Sequence, residues 1–381
     1  MIRKIKNKIR RRIWQLKKNF PINNVNHTKY NKNCLLSYIK EPFFDSKNAN
    51  VHQNRWQVKE IARIFGDFGY NVDVIEYNVD KVFLKKKYDF VFDILAKETP
   101  VYKDRLNENA KRIIYFTGSE TEFANQAELI RIKAAEERRG VKLQPRRQAP
   151  PIHKCVEDYD CAVMIGNDYN LATYSKFKLK KPKLIPNTGY DFDFKFDADK
   201  KKNNNFLFFG SSGCVHKGLD LLLEVFSEED FPARLYVCGV FESELDFKAA
   251  YEKELYHTKN IKPVGFLDLN SDTFKSLADE CSYVIMPSCS EGQAGAITTL
   301  MSAGIIPICS KECGFEDDEV INLPDCSMET IRSYVLEYAD KPMDWIKEKS
   351  KEATLLTKTK YCKAEFTRLM TEAIQAALLS E

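Results

Sequence analysis

The stretch that most constrains this chain runs from Tyr283 to Ser310, YVIMPSCSEGQAGAITTLMSAGIIPICS. The apolar run Tyr283–Met286 reads as a buried strand, and Pro287–Gly292 as a turn. Gln293–Gly295 leads into a helix that reaches about Ala303, Gly304 stops it, and Ile305–Cys309 reads as a second strand. Together they form one compact βαβ unit. The carboxylate of Glu291 then falls at the strand's carboxyl end, just before a helix amino terminus.

That position has chemical consequences. Open α/β sheets bind ligands at the carboxyl edge of their strands. A helix amino terminus offers unpaired N–H groups and the positive end of a dipole, which suit phosphate. Gly292 and Gly295 lack a Cβ and admit close backbone approach. Glu291 beside them can accept hydrogen bonds from sugar hydroxyls. Phosphate and sugar together describe a nucleotide-sugar. The local pattern leaves a second reading open, in which Glu291 only caps the helix.

A length of 381 residues suits two domains, and 44% hydrophobic with 30% charged residues is ordinary for a globular chain. No run approaches the length needed to span a bilayer. The eleven cysteines include no CxxC pair, and several sit in apolar strand runs, so they read as reduced thiols in a reducing cytosol. Cys309, Cys313 and His257 fit no common zinc spacing.

The net charge of +4 is unevenly placed: the first twenty residues hold nine Lys/Arg and no acid, leaving −5 on the remainder. This gives no support for a nucleic-acid-binding body. Within those residues Ile2, Ile5, Ile9, Ile13, Leu16 and Phe20 form a helical apolar stripe among cations, with Trp14 near its edge. The stripe reads as a helix lying on an anionic membrane surface. A solvated basic extension and an organelle transit peptide are the competing readings. The expected location is cytoplasmic, peripheral on the inner face of the cytoplasmic membrane.

Pro21–Asn33 reads as a polar linker. An α/β pattern follows, with strands at Leu35–Ile39, Val72–Tyr77, Phe90–Leu95, Ile113–Phe116, Cys161–Ile165 and Pro182–Ile185 and helices at Gln57–Phe68, Glu122–Arg139 and Asp168–Lys176. The loop Glu41–Asn54 overhangs the carboxyl edge, where an acceptor would sit. Asn54, the polar groups of Thr117, Ser119 and Glu120, and the cation Arg131 are the acceptor-side candidates. The other cations of that helix, with Arg146 and Arg147, either face a phosphate-bearing acceptor or form a solvated face with Glu–Lys pairing. Asn187–Asn205 reads as an exposed interdomain linker; its Asp191, Asp193 and Asp197 lack the glycine of a calcium loop.

A second α/β pattern starts at Phe206–Phe209. Gly210, Ser211, Ser212, Gly213 and Lys217 form a phosphate-cradle type of loop with a cation at the helix start, without Walker spacing. Further strands are expected at Leu235–Val237, Lys262–Val264 and Val320–Leu323, with a helix at Ser271–Cys281. From Met328 the chain reads as helical, with breaks near Pro342 and Thr357–Tyr361.

These residues resemble the retaining glycosyltransferases of family 4, the glycosyl transferases group 1, which have the GT-B fold. The landmarks are Lys217-Gly218, Gly265-Phe266-Leu267, Leu277-Ala278-Asp279, and the run Pro287-Ser288, Glu291-Gly292, Ala303-Gly304, Pro307 and Ser310. Ile185–Asp191 is similar to the segment that ends the family's first domain. The resemblance covers roughly residues 185–315 well and the first half poorly.

The resemblance implies two doubly wound Rossmann-like domains facing across a cleft, with the C-terminal helices crossing back to the first. The implied division is a membrane-surface helix at 1–20, an acceptor domain at 33–188 plus about 362–381, a linker at 189–205, and a donor domain at 206–361. It implies that Lys217 binds the donor diphosphate, that Glu291 binds the donor sugar, and that the backbone of Gly292, Gln293, Ala294 and Gly295 holds sugar and phosphate. The family's diphosphate-binding arginine falls here on Ser211 or Ser212, its ribose-binding glutamate on Thr299, and its glycine-rich first loop on Asn48–Asn54. Hydroxyls of Thr298 or Thr299 can still bond a ribose, more weakly than a carboxylate.

The function so implied is metal-independent transfer of a sugar, with retention, from a nucleotide-sugar; the basic amino-terminal helix suggests that the acceptor is a glycan or lipid-linked molecule at the membrane, in cell-surface polysaccharide synthesis. No cofactor is expected. The alternative is a catalytically silent GT-B module that binds sugar or scaffolds a membrane complex.

Overall fold

The computed structural model describes residues 17–44, 52–96 and 101–379. The basic stripe expected over 1–20 lies outside these residues except for its last four, as do residues 48–51 of the Asn48–Asn54 segment.

Apolar runs of four to six residues, hydrophobic on both faces, suit parallel strands covered by helices on each side. Two six-stranded sheets are built from them, with parallel pairing throughout. Lobe one contains β1 (Lys32–Tyr38), β2 (Tyr70–Glu76), β3 (Tyr88–Asp93), β4 (Leu106–Phe116), β5 (Cys161–Ile165) and β6 (Lys183–Ile185), in spatial order β2-β1-β3-β4-β5-β6. Lobe two contains β7 (Lys202–Gly210), β8 (Arg234–Gly239), β9 (Ile261–Gly265), β10 (Cys281–Met286), β11 (Ile306–Ser310) and β12 (Ile321–Leu323), in order β12-β11-β10-β7-β8-β9. β4 and β7 begin well before their apolar runs. Their first residues, Leu106 and Lys202, pair with Tyr88 and Cys281 through main-chain groups, which need no apolar side chain.

Helix α1 (Gln53–Asp67) starts four residues earlier than periodicity suggests, because the His52 side chain accepts from the Asn54 amide. Helix α2 (Thr121–Arg139) is capped by Glu120, whose carboxylate accepts from the Glu122 and Phe123 amides. Helix α3 (Asp168–Ala172) is shorter than expected. Lobe two adds α4 (Leu219–Phe226), α5 (Leu245–Ala250), α6 (Glu252–His257), α7 (Asp272–Glu280) and α8 (Gly295–Ser302), followed by α9 (Met328–Ala339), α10 (Met343–Thr359) and α11 (Lys363–Leu378).

Two stretches expected as free linkers are tied down. Ile22 and Val25 hydrogen-bond to Val74 and Val72 and cover the outer edge of β2, while Asn26 bonds the Ala62 carbonyl. In residues 191–196 the aspartates face out, but Phe192, Phe194 and Phe196 pack against the lobe-two core, with Phe192 stacked on Phe274. Alternation with a period of two lays such a segment along a surface. It is a strap rather than an exposed linker.

Helix α11 returns to lobe one. Phe366, Met370, Ala373, Ile374 and Ala377 share a core with Val58, Ile61 and Phe65 of α1 and with strand residues of the first sheet. Phe366→Ala is expected to destabilise lobe one by about 3–5 kcal/mol, as for other buried phenylalanines. Urea midpoints, with hydrogen exchange localising the loss to α1 and α11, check this.

Candidate functional site

In lobe two the chain leaves β7 toward one side of the sheet and β10 toward the other, and these strands are neighbours. The loops after them diverge and leave a crevice at their carboxyl ends, the switch point at which such sheets take ligands. Lys217 is on the first loop and Glu291 on the second. They form a buried ion pair, with side chains 7% and 12% exposed. Ser288 Oγ donates to the same Glu291 oxygen at 3.1 Å. Gly218 sits where no other residue fits: its φ is +76°, and a Cβ would lie 2.5 Å from the Pro287 carbonyl oxygen.

Burial raises the Glu291 pKa, but the Lys217 and Arg147 charges outweigh it and bring the value down to about 2. His216 is buried with Nε2 2.5 Å from the Ser290 carbonyl. Burial, opposed by Glu291 and assisted by Lys217, lowers its pKa, so it is neutral at pH 7. A neutral ring facing a carbonyl carries its hydrogen on Nε2, leaving the Nδ1 lone pair inward, where it has no partner among the described residues. Arg147 crosses from lobe one, its Cγ 2.7 Å from where a Cβ on Gly213 would stand. With Lys217 and Arg147 against Glu291, the crevice has one more positive than negative charge among these groups.

The expected residues are distributed unevenly. Lys217 and Glu291 come together. The cradle loop is already engaged: the Gly213 amide donates to Glu244 Oε1 at 2.5 Å and the Cys214 amide to Glu244 Oε2 at 3.2 Å. Ser211 is exposed and Ser212 half-buried on the approach to it. Of the acceptor-side residues, Ser119 bonds the Glu291 carbonyl through its amide at 3.0 Å and its hydroxyl at 2.6 Å. Glu120 caps α2 and pairs with Lys176. Arg131 donates to the Pro287 carbonyl at 3.2 Å. Asn54 lies in the first turn of α1, and it is Gln53 that reaches lobe two.

The Gly292–Gly295 backbone is pressed against lobe one. A Cβ on Gly292 would lie 2.7 Å from the Thr117 oxygen and 2.9 Å from the Ile165 oxygen. Gln53 Nε2 donates to the Gly295 carbonyl at 2.8 Å and to Thr299 Oγ1 at 2.9 Å. Asn187 bonds Gln293 through both its amide and its side chain, and the Ala294 amide donates to the Cys313 carbonyl. Thr298 Oγ1 donates to the Thr188 and Gly295 carbonyls at 3.3 and 3.1 Å. The pocket beside Thr299, lined also by Gln53, Trp56 and Tyr190, measures about 40 Å³. Sites for small molecules run to roughly 300–1,000 Å³.

Of the cations of α2, Lys133 is exposed and pairs with Glu137 on the same helix, while the two at its carboxyl end, with Arg146 just beyond it, cross to the other lobe. Arg138 pairs with Asp220 and Glu224, Arg139 with Glu254, and Arg146 with Asp246, all in lobe two. Ile132 and Ala135 lie in the lobe-two core, so α2 is shared between lobes. Among the described residues no group of three or more His, Cys, Asp or Glu is arranged to hold a metal ion.

Sequence reasoning missed Gln53, Asn170, Glu244 and the parts played by His216 and Arg147. Asn170 Nδ2 donates to the Glu291 carbonyl at 3.1 Å, but its sequence context is an ordinary helix start. Asn187 had a signal, since it stands in the Ile185–Asp191 segment, and His216 had one in its adjacency to Lys217.

Two carboxyl-edge crevices facing each other across a seam define a GT-B architecture. Residues 191–323 match the family described as glycosyl transferases group 1. No curated protein sequence matches the chain. Among solved structures it is similar to sucrose-phosphate synthase from Thermosynechococcus elongatus, with a TM-score of 0.64 at 12% identity over 92% of this chain and 100% of that one. It is also similar to a glycosyltransferase from Rickettsia africae, with a TM-score of 0.56 at 12% identity over 92% and 100%. HepE of Anabaena, described in complex with UDP-glucose, gives 0.56 at 11% identity over 91% and 99%.

Two outcomes are expected from the site. Glu291 has a folded-state pKa below its ordinary 4.5, so its contribution is complete above that value and lost as pH falls toward about 2, a difference of roughly 3 kcal/mol. In Lys217→Met burial dominates and the Glu291 pKa rises, so stability should instead increase as pH falls below neutrality. Urea midpoints of the two proteins, compared pH by pH, read the opposite slopes. Gly292→Ala should separate the lobes at a cost of about 1–3 kcal/mol, seen as a larger radius of gyration in small-angle scattering.

Proposed function

We propose that this glycosyltransferase moves a hexose, with retention and without a metal, from a nucleotide-sugar to a glycan or lipid-linked acceptor. Its place is cell-surface polysaccharide synthesis, on the inner face of the cytoplasmic membrane. The observation that carries the reading is the buried Lys217–Glu291 pair at the lobe-two switch point, within the segment that matches the family. In the transfer the bond from the anomeric carbon to the diphosphate oxygen breaks, and the acceptor oxygen bonds that carbon and passes its proton to the departing diphosphate oxygen. Negative charge grows on the departing diphosphate. Lys217 and Arg147 stabilise it, and Glu291 orients the sugar hydroxyls. The Anabaena neighbour's UDP-glucose complex supports a nucleotide-sugar as the ligand class.

The seam has no room for such a donor as it stands, so lobe separation precedes binding. Reclosure then excludes water that would hydrolyse the donor. Ser119, Asn170, Gln53 and Asn187 are the groups whose hydrogen bonds must break and re-form.

One observation favours the silent GT-B reading: Gln53 bonds Thr299 where the resemblance puts a ribose-binding carboxylate. Calorimetric titration of UDP- and GDP-sugars, followed by donor hydrolysis, separates the two. The expected result is that one donor class binds and is slowly hydrolysed, and that Gln53→Ala binds it at least as tightly. Glu291→Gln should slow turnover by about 100-fold or more. Binding with no turnover in any variant would favour the silent module. No binding by wild type or Gln53→Ala would end the enzyme reading.

A further inference from the structure

We infer that lobe one carries a folded membrane-docking surface, the loop 80–87 together with residues 17–20, which seats the carboxyl edge of its sheet on an anionic bilayer leaflet. This deepens the membrane part of the proposed function and rests on it.

The loop reads DKVFLKKK and joins β2 to β3. Phe83 is 48% exposed, and its ring stacks on that of Phe20, 54% exposed, with centroids 5.1 Å apart. The pair is held in place: the Phe83 amide donates to the Asn19 carbonyl at 2.9 Å. The buried Lys40 ammonium donates to the carbonyls of Lys17 at 2.8 Å and Phe20 at 2.5 Å. A cation at those carbonyls suits the end of a helical turn.

Around the rings lie Lys17, Lys18, Lys81 and Lys85. Lys81 Nζ stands 5.6 Å from the Phe83 ring centre, and neither Lys81 nor Lys85 makes an ion pair among the described residues. The nearby acids Asp73 and Glu76 are buried; Asp73 is bound by Lys86, and Glu76 accepts from the Lys40 amide. Asp80 and Asp104 remain against this cationic excess. A crevice of about 360 Å³, walled by Val82, Leu84 and Tyr102 with Arg105 beside them, opens next to Phe83.

Single exposed apolar residues are ordinary. An ordered aromatic pair with lysines beside it is different, since it presents apolar surface and positive charge together. Aromatic rings at headgroup depth with lysines toward anionic lipid are the chemistry of an interfacial contact. Placement adds to this. Lys40 and Glu76 lie just after and at the carboxyl ends of β1 and β2, and the same edge, at β4 and β5, forms the seam with lobe two. Docking there turns the cleft mouth toward the leaflet, where a lipid-linked acceptor would be presented.

The test is co-sedimentation of the full chain with phosphatidylcholine vesicles, with and without phosphatidylglycerol. The full chain should pellet only with the anionic vesicles. Phe83→Ser, and separately Lys81→Gln with Lys85→Gln, should each lower the partition coefficient about tenfold. Lys351→Gln with Lys358→Gln, equal in charge on α10, should not. Phe83→Trp should bind and shift its emission to the blue. Full-chain pelleting that the loop variants leave unchanged would overturn the docking surface and leave the membrane reading intact. A full chain that pellets with neither vesicle would overturn both. Dimerisation that depends on Phe83, without vesicle binding, would assign the patch to a second copy of the chain instead.

Discussion

The carbonyl of Glu291 accepts from the Ser119 amide, the Ser119 hydroxyl and the Asn170 side chain. Much of the molecule depends on that one acceptor. It fixes the loop after β10 against the carboxyl ends of β4 and β5, and so fixes the lobes face to face. On the same residue the carboxylate turns the other way and pairs with Lys217. One residue thus holds the seam with its main chain and the charge of the crevice with its side chain.

Burying that carboxylate is tolerable only because cations surround it. An unpaired carboxylate in this position would be neutralised by its surroundings. Here the Lys217 and Arg147 charges keep it ionised. Ion pairs of this kind add little net stability, but leaving one partner alone is costly. The pair is therefore better understood as a stored charge arrangement, available to be rearranged when a diphosphate supplies new negative charge, than as a clamp.

The lobes are bound by more than the crevice. Helix α2 has its cap in lobe one and its apolar residues in the lobe-two core, with Arg138 and Arg139 paired across the boundary. Helix α11 runs the other way, leaving lobe two to pack on α1. Opening must therefore pivot about shared elements rather than separate two free bodies. The Phe20–Phe83 pair lies on the first sheet's carboxyl edge, away from the seam residues of β4 and β5, so surface contact and lobe motion can coexist.

How much could be read without coordinates follows from the range of the forces involved. Apolar runs, helix stops such as Gly140 and Gly304, and the Lys217 and Glu291 motifs are local, and local periodicity records them. They were enough for two α/β halves and for singling out Lys217 and Glu291, whose pairing only the structure shows. The asparagine-rich segment before β1 and the aspartates of 191–197 misled, because hydrogen bonds from Asn26 and the inward phenylalanines depend on partners far along the chain. Gln53 on Thr299, Glu244 on the Gly213 amide and Arg147 over Gly213 were likewise invisible: each is an ordinary polar residue until folding brings it across a gap. By itself the sequence determined which apolar runs become strands and that Lys217 and Glu291 stand on the loops that follow two of them. Only the tertiary structure decided that the crevice is closed by the opposite lobe, because side-chain contact between lobes depends on three-dimensional distance and leaves no period in the chain.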